Sequence, residues 1–418
     1  MFTPRLPIDD VLDALTTALQ AEGRAVLMAP PGAGKTTRVP LALLPVIKGR
    51  IVMLEPRRLA ARTAAERMAQ TLGEKAGETV GYRIRGEAKL SKATRIEVVT
   101  EGILTRMLQT DPELSGIGAV IFDEFHERSL NADLGLALTW EVRQALRDDL
   151  ALVVMSATLD AAPVAALLDD APVIRSEGRA FPVETRWLDA PVPKKQRLEQ
   201  AAADLVVKAV SEAEGSALVF LPGEGEIRRV QSLLEGRVPA DCAIRPLFGA
   251  MKFADQRAAI APTQSGRKIV LATSIAETSL TIEDIRIVVD AGRARRARFD
   301  PASGMSRLVT ERASKAEAEQ RRGRAGRVST GICYRLWTKG EEGALPAFAP
   351  AEIETADLTG LALELALWGA SESDLAFLTP PPAGPLSEAR SLLENLGALE
   401  ADGRITAHGK ALAAKPLH

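Results

Sequence analysis

The sequence predicts an α/β protein with two parallel-sheet domains followed by a smaller α+β module. Short apolar runs alternate with helical patterns, and this alternation starts again after a proline-containing stretch at 177–195. The pattern changes a second time near residue 346. A length of 418 residues suits two or three domains. We therefore divide the chain into domains at 1–178 and 179–345 and a C-terminal module at 346–418.

Five apolar runs predict the strands of the first domain. Each run ends at a polar or glycine-rich turn, and helical patterns at 59–72 and 130–146 lie between them. Apolar strands separated by helices are typical of a parallel sheet that is covered on both faces. The five runs are 24–29, 51–55, 95–100, 119–122 and 151–155.

The second domain repeats this pattern, and the C-terminal module departs from it. The module has a helical segment at 353–369, a proline-rich loop at 379–385, and a helix, turn and short strand within 386–406. It looks unfinished because the chain stops at KPLH without a closing element, so we expect a C-terminally truncated chain. Strands of the second domain are predicted at 217–221, 243–248, 268–273 and 286–292.

Composition favours a protein that is neither exported nor held in a membrane. Hydrophobic residues make up 46% and charged residues 26% of the chain, and no run approaches about 20 apolar residues. The N-terminus has acidic residues where a secretion signal has its basic start. Cys242 and Cys333 are too few for a disulfide framework or a zinc site. We expect a cytoplasmic protein without a membrane partner.

The charge is unevenly distributed. The net charge is −2, but eleven Arg and Lys residues stand against four acidic residues between Arg293 and Arg327. A local excess of positive charge suggests contact with a polyanion. The alternative is a solvated, arginine-rich face.

The stretch VLMAPPGAGKTTRVP at 26–40 predicts a phosphate-binding loop. The P-loop pattern is Gly, four residues, then Gly-Lys-Ser/Thr, and here Ala29 replaces the first glycine. Two glycines still allow close backbone approach, and the amides that follow open a helix. Lys35 can reach the β- and γ-phosphates, and Thr36 can offer a hydroxyl to Mg²⁺. The predicted nucleotide contacts are Gly32, Ala33, Gly34, Lys35, Thr36 and Thr37.

The stretch AVIFDEFH at 119–126 adds two acids at the end of a strand. A nucleotide hydrolase needs such acids beside its phosphate loop. Asp123 would hold Mg²⁺ through water, and Glu124 would orient and deprotonate the attacking water. The alternative for each acid is an ordinary position at the start of a helix.

These motifs and those that follow them resemble the DEAH-box class of superfamily 2 helicases, and in particular its bacterial HrpB type, which carries DEFHER where most relatives carry DEAH. The resemblance implies two RecA-like P-loop NTPase domains, then a winged-helix-like module and the start of a truncated helical domain. The further matching motifs are EPRRLAAR (55–62), TEGIL (100–104), MSATLD (155–160), LVFLPGEGEI (218–227), TSIAETSLTIEDI (273–285) and QRRGRAGR (320–327).

The resemblance assigns catalytic roles in the last of these motifs. Gln320 would face the γ-phosphate and the attacking water. Arg324 and Arg327 would act as arginine fingers that stabilise charge on the transferred phosphoryl group. The alternative for the arginines is nucleic-acid contact or a surface patch, which we favour more for Arg321 and Arg322.

The resemblance also implies roles for other matching positions, either in coupling hydrolysis to domain movement or in contact with the nucleotide. Ser156, Thr158 and Thr278 would link hydrolysis to domain movement. Ser279 would contact the nucleotide, and Glu283 takes the place of an acid near the ribose.

Contact with the base is less well defined by the sequence. Arg67, or alternatively Arg62, would stack on the purine, whereas Ile260 stands where relatives carry an aromatic residue. Weak base contact predicts that other NTPs are accepted beside ATP.

His126 has three possible roles. A metal ligand is disfavoured because no second His or Cys lies at ligand spacing, and Mg²⁺ prefers oxygen. We interpret it as a coupling residue that senses the facing domain through Gln320 or the SAT segment. Ordinary packing is the alternative.

The predicted nucleic-acid contacts are to the backbone of the strand. Aromatic residues are only 4% of the chain, so base stacking cannot be the main mode of binding. A hairpin predicted at 295–309 would separate or guide strands, or be a plain surface hairpin. The candidate contacts are Arg57, Arg58, Arg85, Thr100, Glu101, Gly102, Gly223 and Thr273.

The resulting hypothesis is a monomeric, Mg²⁺-requiring and ATP-dependent helicase or translocase acting on single-stranded RNA. A DNA-acting motor of the same fold is one alternative. An RNA-binding scaffold that uses ATP only as a conformational clamp is the other.

Overall fold

The computed structural model describes residues 5–157, 161–178, 181–263, 265–277, 282, 284–300 and 303–415. These residues form two compact units. The first unit contains the described parts of Met1–Gly178, Ala297–Arg307 and Pro350–His418, and the second contains those of Arg179–Arg296 and Leu308–Ala349.

The first unit is built on an eight-stranded sheet in the order β4-β3-β5-β2-β6-β7-β1-β8, parallel except for the β3–β4 pair. Its strands are β1 (Arg24–Met28), β2 (Arg50–Glu55), β3 (Val80–Ile84), β4 (Glu87–Lys89), β5 (Ile96–Thr100), β6 (Ile117–Phe122), β7 (Ala151–Ser156) and β8 (Val173–Arg175). Its helices, before the C-terminal module, are α1 (Leu12–Glu22), α2 (Lys35–Leu43), α3 (Arg58–Thr71), α4 (Glu101–Thr110), α5 (Leu130–Ala145) and α6 (Ala161–Leu167).

Helices cover both faces of this sheet, as its unbroken apolar strands predict. Successive side chains of a strand point to opposite faces, so Val52 and Leu54 of β2 join the core under α4 and α5, while Ile51 and Met53 join the core under α1 to α3. The parallel sheet buried on both faces is confirmed.

The second unit has a six-stranded parallel sheet in the order β11-β12-β10-β13-β16-β9 and the base of a two-stranded sheet formed by β14 and β15. The strands are β9 (Val183–Leu188), β10 (Ser216–Phe220), β11 (Cys242–Leu247), β12 (Arg267–Ala272), β13 (Ile285–Asp290), β14 (Arg293–Asp300), β15 (Met305–Arg312) and β16 (Gly331–Thr338). The helices are α7 (Leu198–Glu212), α8 (Glu224–Leu234), α9 (Phe253–Ile260), α10 (Lys315–Gly323) and α11 (Lys339–Gly343).

The predicted hairpin is confirmed as β14 and β15. Residues 301 and 302 of its turn lie outside the described residues. The tip of the hairpin, Ala297–Arg307, belongs to the first unit, where the Phe299 amide donates to the Thr355 carbonyl at 3.0 Å.

The C-terminal module packs its helices on the α4–α5 face of the first unit. It contains α12 (Thr359–Trp368), α13 (Ala383–Asn395) and α14 (Ala407–Ala413). Leu361, Leu365 and Leu386 share one apolar core with Leu104 and Leu138. The module and the first sheet are therefore stabilised together.

Two predictions for the module are wrong in detail. The helix predicted at 353–369 is a 3₁₀ turn, Glu352–Glu354, followed by α12, which begins only at Thr359. The predicted short strand is a single bridge between Leu399 and Ile405. A further helix, α14, follows this bridge, with the Thr406 hydroxyl capping its first turn. The winged-helix likeness and the three-part division stay predictions.

None of the helices described is long and apolar enough to cross a membrane.

Candidate nucleotide-hydrolysis site

The predicted phosphate loop lies between β1 and α2. Gly32 and Gly34 adopt φ values of 87° and 99°, which L side chains rarely tolerate. Gly34 caps α2, so the amides that follow it open the helix at Lys35. A Cβ at Gly34 would also lie only 2.6 Å from Leu6 Cδ1. The loop thus presents unpaired helix amides, the usual protein site for phosphate.

The two acids at the end of β6 lie beside this loop. Lys35 Nζ is 2.9 Å from Glu124 Oε1 and 3.9 Å from Asp123 Oδ1, and the Thr36 hydroxyl donates to the Asp123 carboxylate. The sheet order β6-β7-β1 brings the carboxyl ends of β1 and β6 to one edge, where ligands of parallel sheets bind. The structure thus brings the two motifs together.

Burial governs the charges of this cluster. Burial raises the pKa of Asp123, and the neighbouring Glu124 adds to the rise against the opposing effect of Lys35. Burial alone would lower the pKa of Lys35, but Glu124 and Asp123 outweigh it, so its pKa is raised and the ammonium stays charged. The site holds a fixed positive charge of the kind that binds phosphate.

Sequence reasoning missed a third acid at this edge. Glu55, the last residue of β2, is fully buried beside Asp123 and Glu124. Burial and these two carboxylates raise the pKa of Glu55 well above its ordinary value. The sequence did carry a signal for Glu55, since this acid ends the apolar strand β2. Neighbouring parallel strands end at the same edge of a sheet, so an acid at the end of β2 lies near the acids at the end of β6.

The oxygen atoms of Thr36 and Asp123 suit Mg²⁺, which prefers hard oxygen ligands and keeps several waters. Among the residues described, no group of three or more His, Cys, Asp or Glu could hold a metal ion. A protein site with only two oxygen donors fits an ion that is also bound by phosphates and water.

The residues DEFHER form a tight turn after β6. Glu124 and Arg128 both have left-handed backbones, with φ of 50° and 49°, and they flank the 3₁₀ turn Phe125–Glu127. His126 is buried, and its Nδ1 accepts from the Ala157 amide at 3.4 Å and lies 3.5 Å from Glu124 Oε2. Burial lowers the pKa of His126, so the ring is neutral near pH 7.

The contact with Ala157 agrees with the predicted link from His126 to the SAT segment. Its role as a coupling residue stays a prediction. Ser156, the last residue of β7, is buried in the same segment, whereas Thr158 lies outside the described residues.

The predicted nucleic-acid contacts of the first unit differ in exposure. Arg57 is half-buried and pairs with Glu127 at 3.2 Å, whereas Arg58 and Arg85 are exposed. Thr100 caps α4 and is half-buried.

The start of α4 leaves Gly102 exposed and turns the Glu101 side chain inward. The Glu101 carboxylate accepts from the Ser129 hydroxyl at 2.6 Å. The side chain of Glu101 therefore faces the protein, and its amide and that of Gly102 belong to the open first turn of the helix.

The two arginines predicted for base stacking differ in exposure. Arg67 is exposed on α3. Arg62 is half-buried, pairs with Glu66 and Glu87, and lies over the Tyr82 ring at 5.9 Å.

The catalytic candidates of the second unit lie on and just after α10. Gln320 and Arg324 are buried, and Arg327 is half-buried. Arg324 Nε donates to the Glu277 carbonyl at 2.9 Å. This hydrogen bond ties the arginine motif to the segment that follows β12.

Arg321 is buried, so the interpretation of this residue as part of a surface patch is wrong. It is 1% exposed, with Nε 2.6 Å from Glu277 Oε1 and Nη1 2.8 Å from Asp290 Oδ1. Arg322 is half-buried and pairs with Glu319.

The remaining candidates of the second unit are Gly223 and Thr273. Gly223 caps α8, and a Cβ there would lie 2.3 Å from Arg295 Nη1, so this side of the glycine is covered by an arginine. Thr273 is half-buried at the end of β12. Thr278, Ser279 and Glu283 lie outside the described residues.

Five of the eleven positively charged residues between Arg293 and Arg327 form ion pairs with acids. The excess counted along the sequence therefore overstates the charge that this segment offers to a polyanion. The recorded pairs are Arg295–Glu226, Arg296–Glu311, Arg296–Glu317, Arg312–Glu341, Arg321–Glu277, Arg321–Asp290 and Arg322–Glu319.

Two family models match the chain. Residues 11–167 match the DEAD/DEAH box helicase model, and residues 198–329 match the helicase conserved C-terminal domain.

Curated relatives are similar over almost the whole chain. ATP-dependent RNA helicase HrpB of Escherichia coli is 52% identical over 98% of the chain, which covers 51% of that protein. ATP-dependent RNA helicase HrpA of Escherichia coli is 34% identical over 97% of the chain, which covers 32% of that protein. The chain thus spans about half the length, or less, of these relatives.

A crystal structure of Escherichia coli DEAH/RHA helicase HrpB has the same fold. It superimposes with a TM-score of 0.93 at 52% identity, covering 98% of this chain and 52% of that one. The two sheets are therefore RecA-like helicase domains, and the chain belongs to the DEAH-box helicase family and resembles its HrpB type.

Proposed function

We propose that this chain hydrolyses ATP with Mg²⁺ and couples the hydrolysis to movement along single-stranded RNA. The observation that carries the proposal is the buried cluster of Lys35, Thr36, Asp123 and Glu124 at one sheet edge. The contacts of Lys35 with Glu124 and of Thr36 with Asp123 join residues that are 89 and 87 positions apart. Burying charged side chains contributes little to the stability of a fold, so a buried charged cluster of this kind suggests a ligand.

In the proposed mechanism, the amides from Ala33 to Thr37 and the Lys35 ammonium bind the phosphates. Thr36 and Asp123 would hold Mg²⁺, which when bound neutralises charge on the β- and γ-phosphate oxygens. Glu124 orients a water and takes up its proton as the water attacks the γ-phosphorus, while the bond from the γ-phosphorus to the oxygen that bridges to the β-phosphate breaks and ADP leaves.

Gln320, Arg324 and Arg327 are proposed to act on the same reaction from the second domain. Their role is to position the water and to stabilise negative charge on the phosphoryl group in transit. The match of QRRGRAGR (320–327) to the arginine motif of the family supports this proposal.

RNA is proposed as the strand because the relatives named above are RNA helicases. The open first turn of α4 at Glu101 and Gly102, together with the exposed Arg58 and Arg85, supports binding to a phosphate backbone. A DNA motor and an ATP-gated RNA clamp stay as alternatives. We further propose that the chain works as a monomer in the cytoplasm.

ATPase assays with poly(A) or single-stranded DNA test the proposal. Wild type should be stimulated more by poly(A), and Glu124→Gln should lose about 100-fold or more in kcat while it still binds ATP. Glu113→Gln, which alters an exposed acid, is the control. Unchanged turnover in Glu124→Gln would contradict the mechanism.

Strand displacement on a duplex with a 3′ overhang separates a motor from a clamp. A motor displaces the strand only when ATP is hydrolysed. RNA binding that depends on ATP without displacement would favour the clamp.

A further inference from the structure

The turn that carries Glu124 is held at its far end by the C-terminal module. Arg128 ends this turn in a left-handed conformation, which is unfavourable for a residue with a Cβ and persists only where surrounding contacts fix it. The contacts of Arg128 therefore decide whether the turn keeps its shape.

The Arg128 side chain bridges α5 and the module. Its Nε and Nη2 each donate to Asp133, both at 3.0 Å, and Nη2 also donates to the Thr379 hydroxyl at 2.9 Å. The Asp133 carboxylate is fully buried. A guanidinium can serve these two acceptors at once because its donors form a planar fork.

The backbone of the same segment is bound to the module by two reciprocal hydrogen bonds. The Glu352 amide donates to the Arg128 carbonyl at 3.0 Å, and the Leu130 amide donates to Glu352 Oε2 at 2.8 Å. Side chain and backbone thus connect the residues just after Glu127 to two separate places in the module, Glu352 and Thr379.

We propose that Arg128 is a positioning residue for ATP hydrolysis, and that it fixes Glu124 by joining the DEFHER turn to Thr379 of the C-terminal module. The inference rests on the proposed function. Arg128 lies four positions beyond Glu124 and touches none of the reacting groups named above. It acts by holding the catalytic acid in place, so a disturbance of the module changes the rate of hydrolysis.

The matched variants Thr379→Val and Thr379→Ser test this link in the full chain. Valine keeps the shape of threonine without the hydroxyl, whereas serine keeps the hydroxyl. We expect Thr379→Val to lower kcat about five-fold with the KM for ATP within about two-fold of wild type, and Thr379→Ser to retain the wild-type rate. Arg128→Lys should resemble Thr379→Val, because one ammonium cannot reproduce the fork.

The outcomes separate this inference from the proposed function. Wild-type kcat in Thr379→Val, or an equal loss in the valine and serine variants, overturns the inference alone. A wild-type chain without ATPase activity overturns the proposed function and the inference together.

Hydrogen exchange distinguishes a positioning role of Arg128 from a contribution to stability alone, because it measures how amide protection changes when nucleotide binds. Adding ADP with beryllium fluoride to wild type should change amide protection at 350–355, because coupling between two sites is reciprocal. The change should be smaller in Thr379→Val, which removes one of the two connections between the turn and the module, at unchanged melting temperature. Unaltered protection at 350–355 in nucleotide-bound wild type overturns the inference.

Discussion

Replacing the buried Arg321 by methionine should strongly destabilise the second unit. The side chain is 1% exposed and donates to two buried acids, Glu277 and Asp290, while its guanidinium lies 5.2 Å from the centre of the Phe220 ring. Methionine fills a similar volume but leaves both carboxylates without their cation. Removing one partner from a buried ion pair costs about 3–5 kcal/mol.

The neighbouring Arg322 provides the control. It pairs with Glu319, whose side chain is 53% exposed. Because an exposed ion pair is worth about 0–1 kcal/mol and the hydrogen bond from Arg322 Nη1 to the Val183 carbonyl about 0.5–1.5 kcal/mol, Arg322→Met should cost about 2 kcal/mol at most. The two variants remove the same chemical group from adjacent positions on α10, so their difference isolates the effect of burial.

Hydrogen exchange followed by mass spectrometry measures the effect in the intact chain. Peptides from β10 and β13 report on the second unit alone, which avoids mixing in the unfolding of the first unit. In Arg321→Met their amides should exchange about two to four orders of magnitude faster, since about 1.4 kcal/mol corresponds to a factor of ten. Adding Glu277→Gln and Asp290→Asn should restore part of the protection by removing the unpaired charges. Acceleration below about ten-fold in the single variant would refute the reasoning.

Four further outcomes are expected. His126→Ala should lower RNA-stimulated kcat about ten-fold and leave the Kd for ATP within about two-fold, as seen by steady-state kinetics and nucleotide titration; an equal loss of nucleotide binding would argue against coupling. Burial raises the pKa of Glu101 from 4.5 to about 7. The folded chain then keeps a proton that the unfolded chain has lost, so this residue makes stability fall as pH rises from about 4.5 to about 7. The increase in the urea midpoint of unfolding from wild type to Glu101→Gln should therefore be larger at pH 8 than at pH 5. An equal increase at both pH values would contradict this. GTP should be hydrolysed within about ten-fold of the ATP rate, because Ile260 offers little stacking to the base; far slower GTP turnover would refute weak base contact. Deletion of 299–306 should reduce strand displacement, and intact displacement with intact RNA-stimulated ATPase would rule out a wedge.

The central strands were predictable from sequence because each is apolar on both faces. The edge strands β4, β8 and β9 were not, for a physical reason. An edge strand such as β9, VETRWL, is only partly buried and mixes polar with apolar residues, and β4 and β8 have three residues each. A short or half-exposed strand has no continuous apolar run in its sequence, so the strand cannot be predicted from hydrophobicity.

The hydrolysis site was predictable because parallel strands converge at one edge, so acids after β6 meet the loop after β1. The buried cluster around Arg321 was not. Its partners lie 44 and 31 positions away along the chain. No local sequence pattern predicts that a charged side chain will form ion pairs with two acids in a core. An arginine-rich segment is instead typical of a protein surface.

The DEFHER turn is placed to connect the proposed hydrolysis with the rest of the first unit. Four of its side chains, those of Glu124, His126, Glu127 and Arg128, have different long-range partners. Its two left-handed residues leave the turn little freedom to move one contact without the others. A change at the γ-phosphate that displaces Glu124 must therefore strain or shift at least one of these partners, which include both the predicted RNA contacts and the module. The contacts are Glu124 with Lys35, His126 with Ala157, Glu127 with Arg57, Arg128 with Asp133 and Thr379, and Ser129 with Glu101.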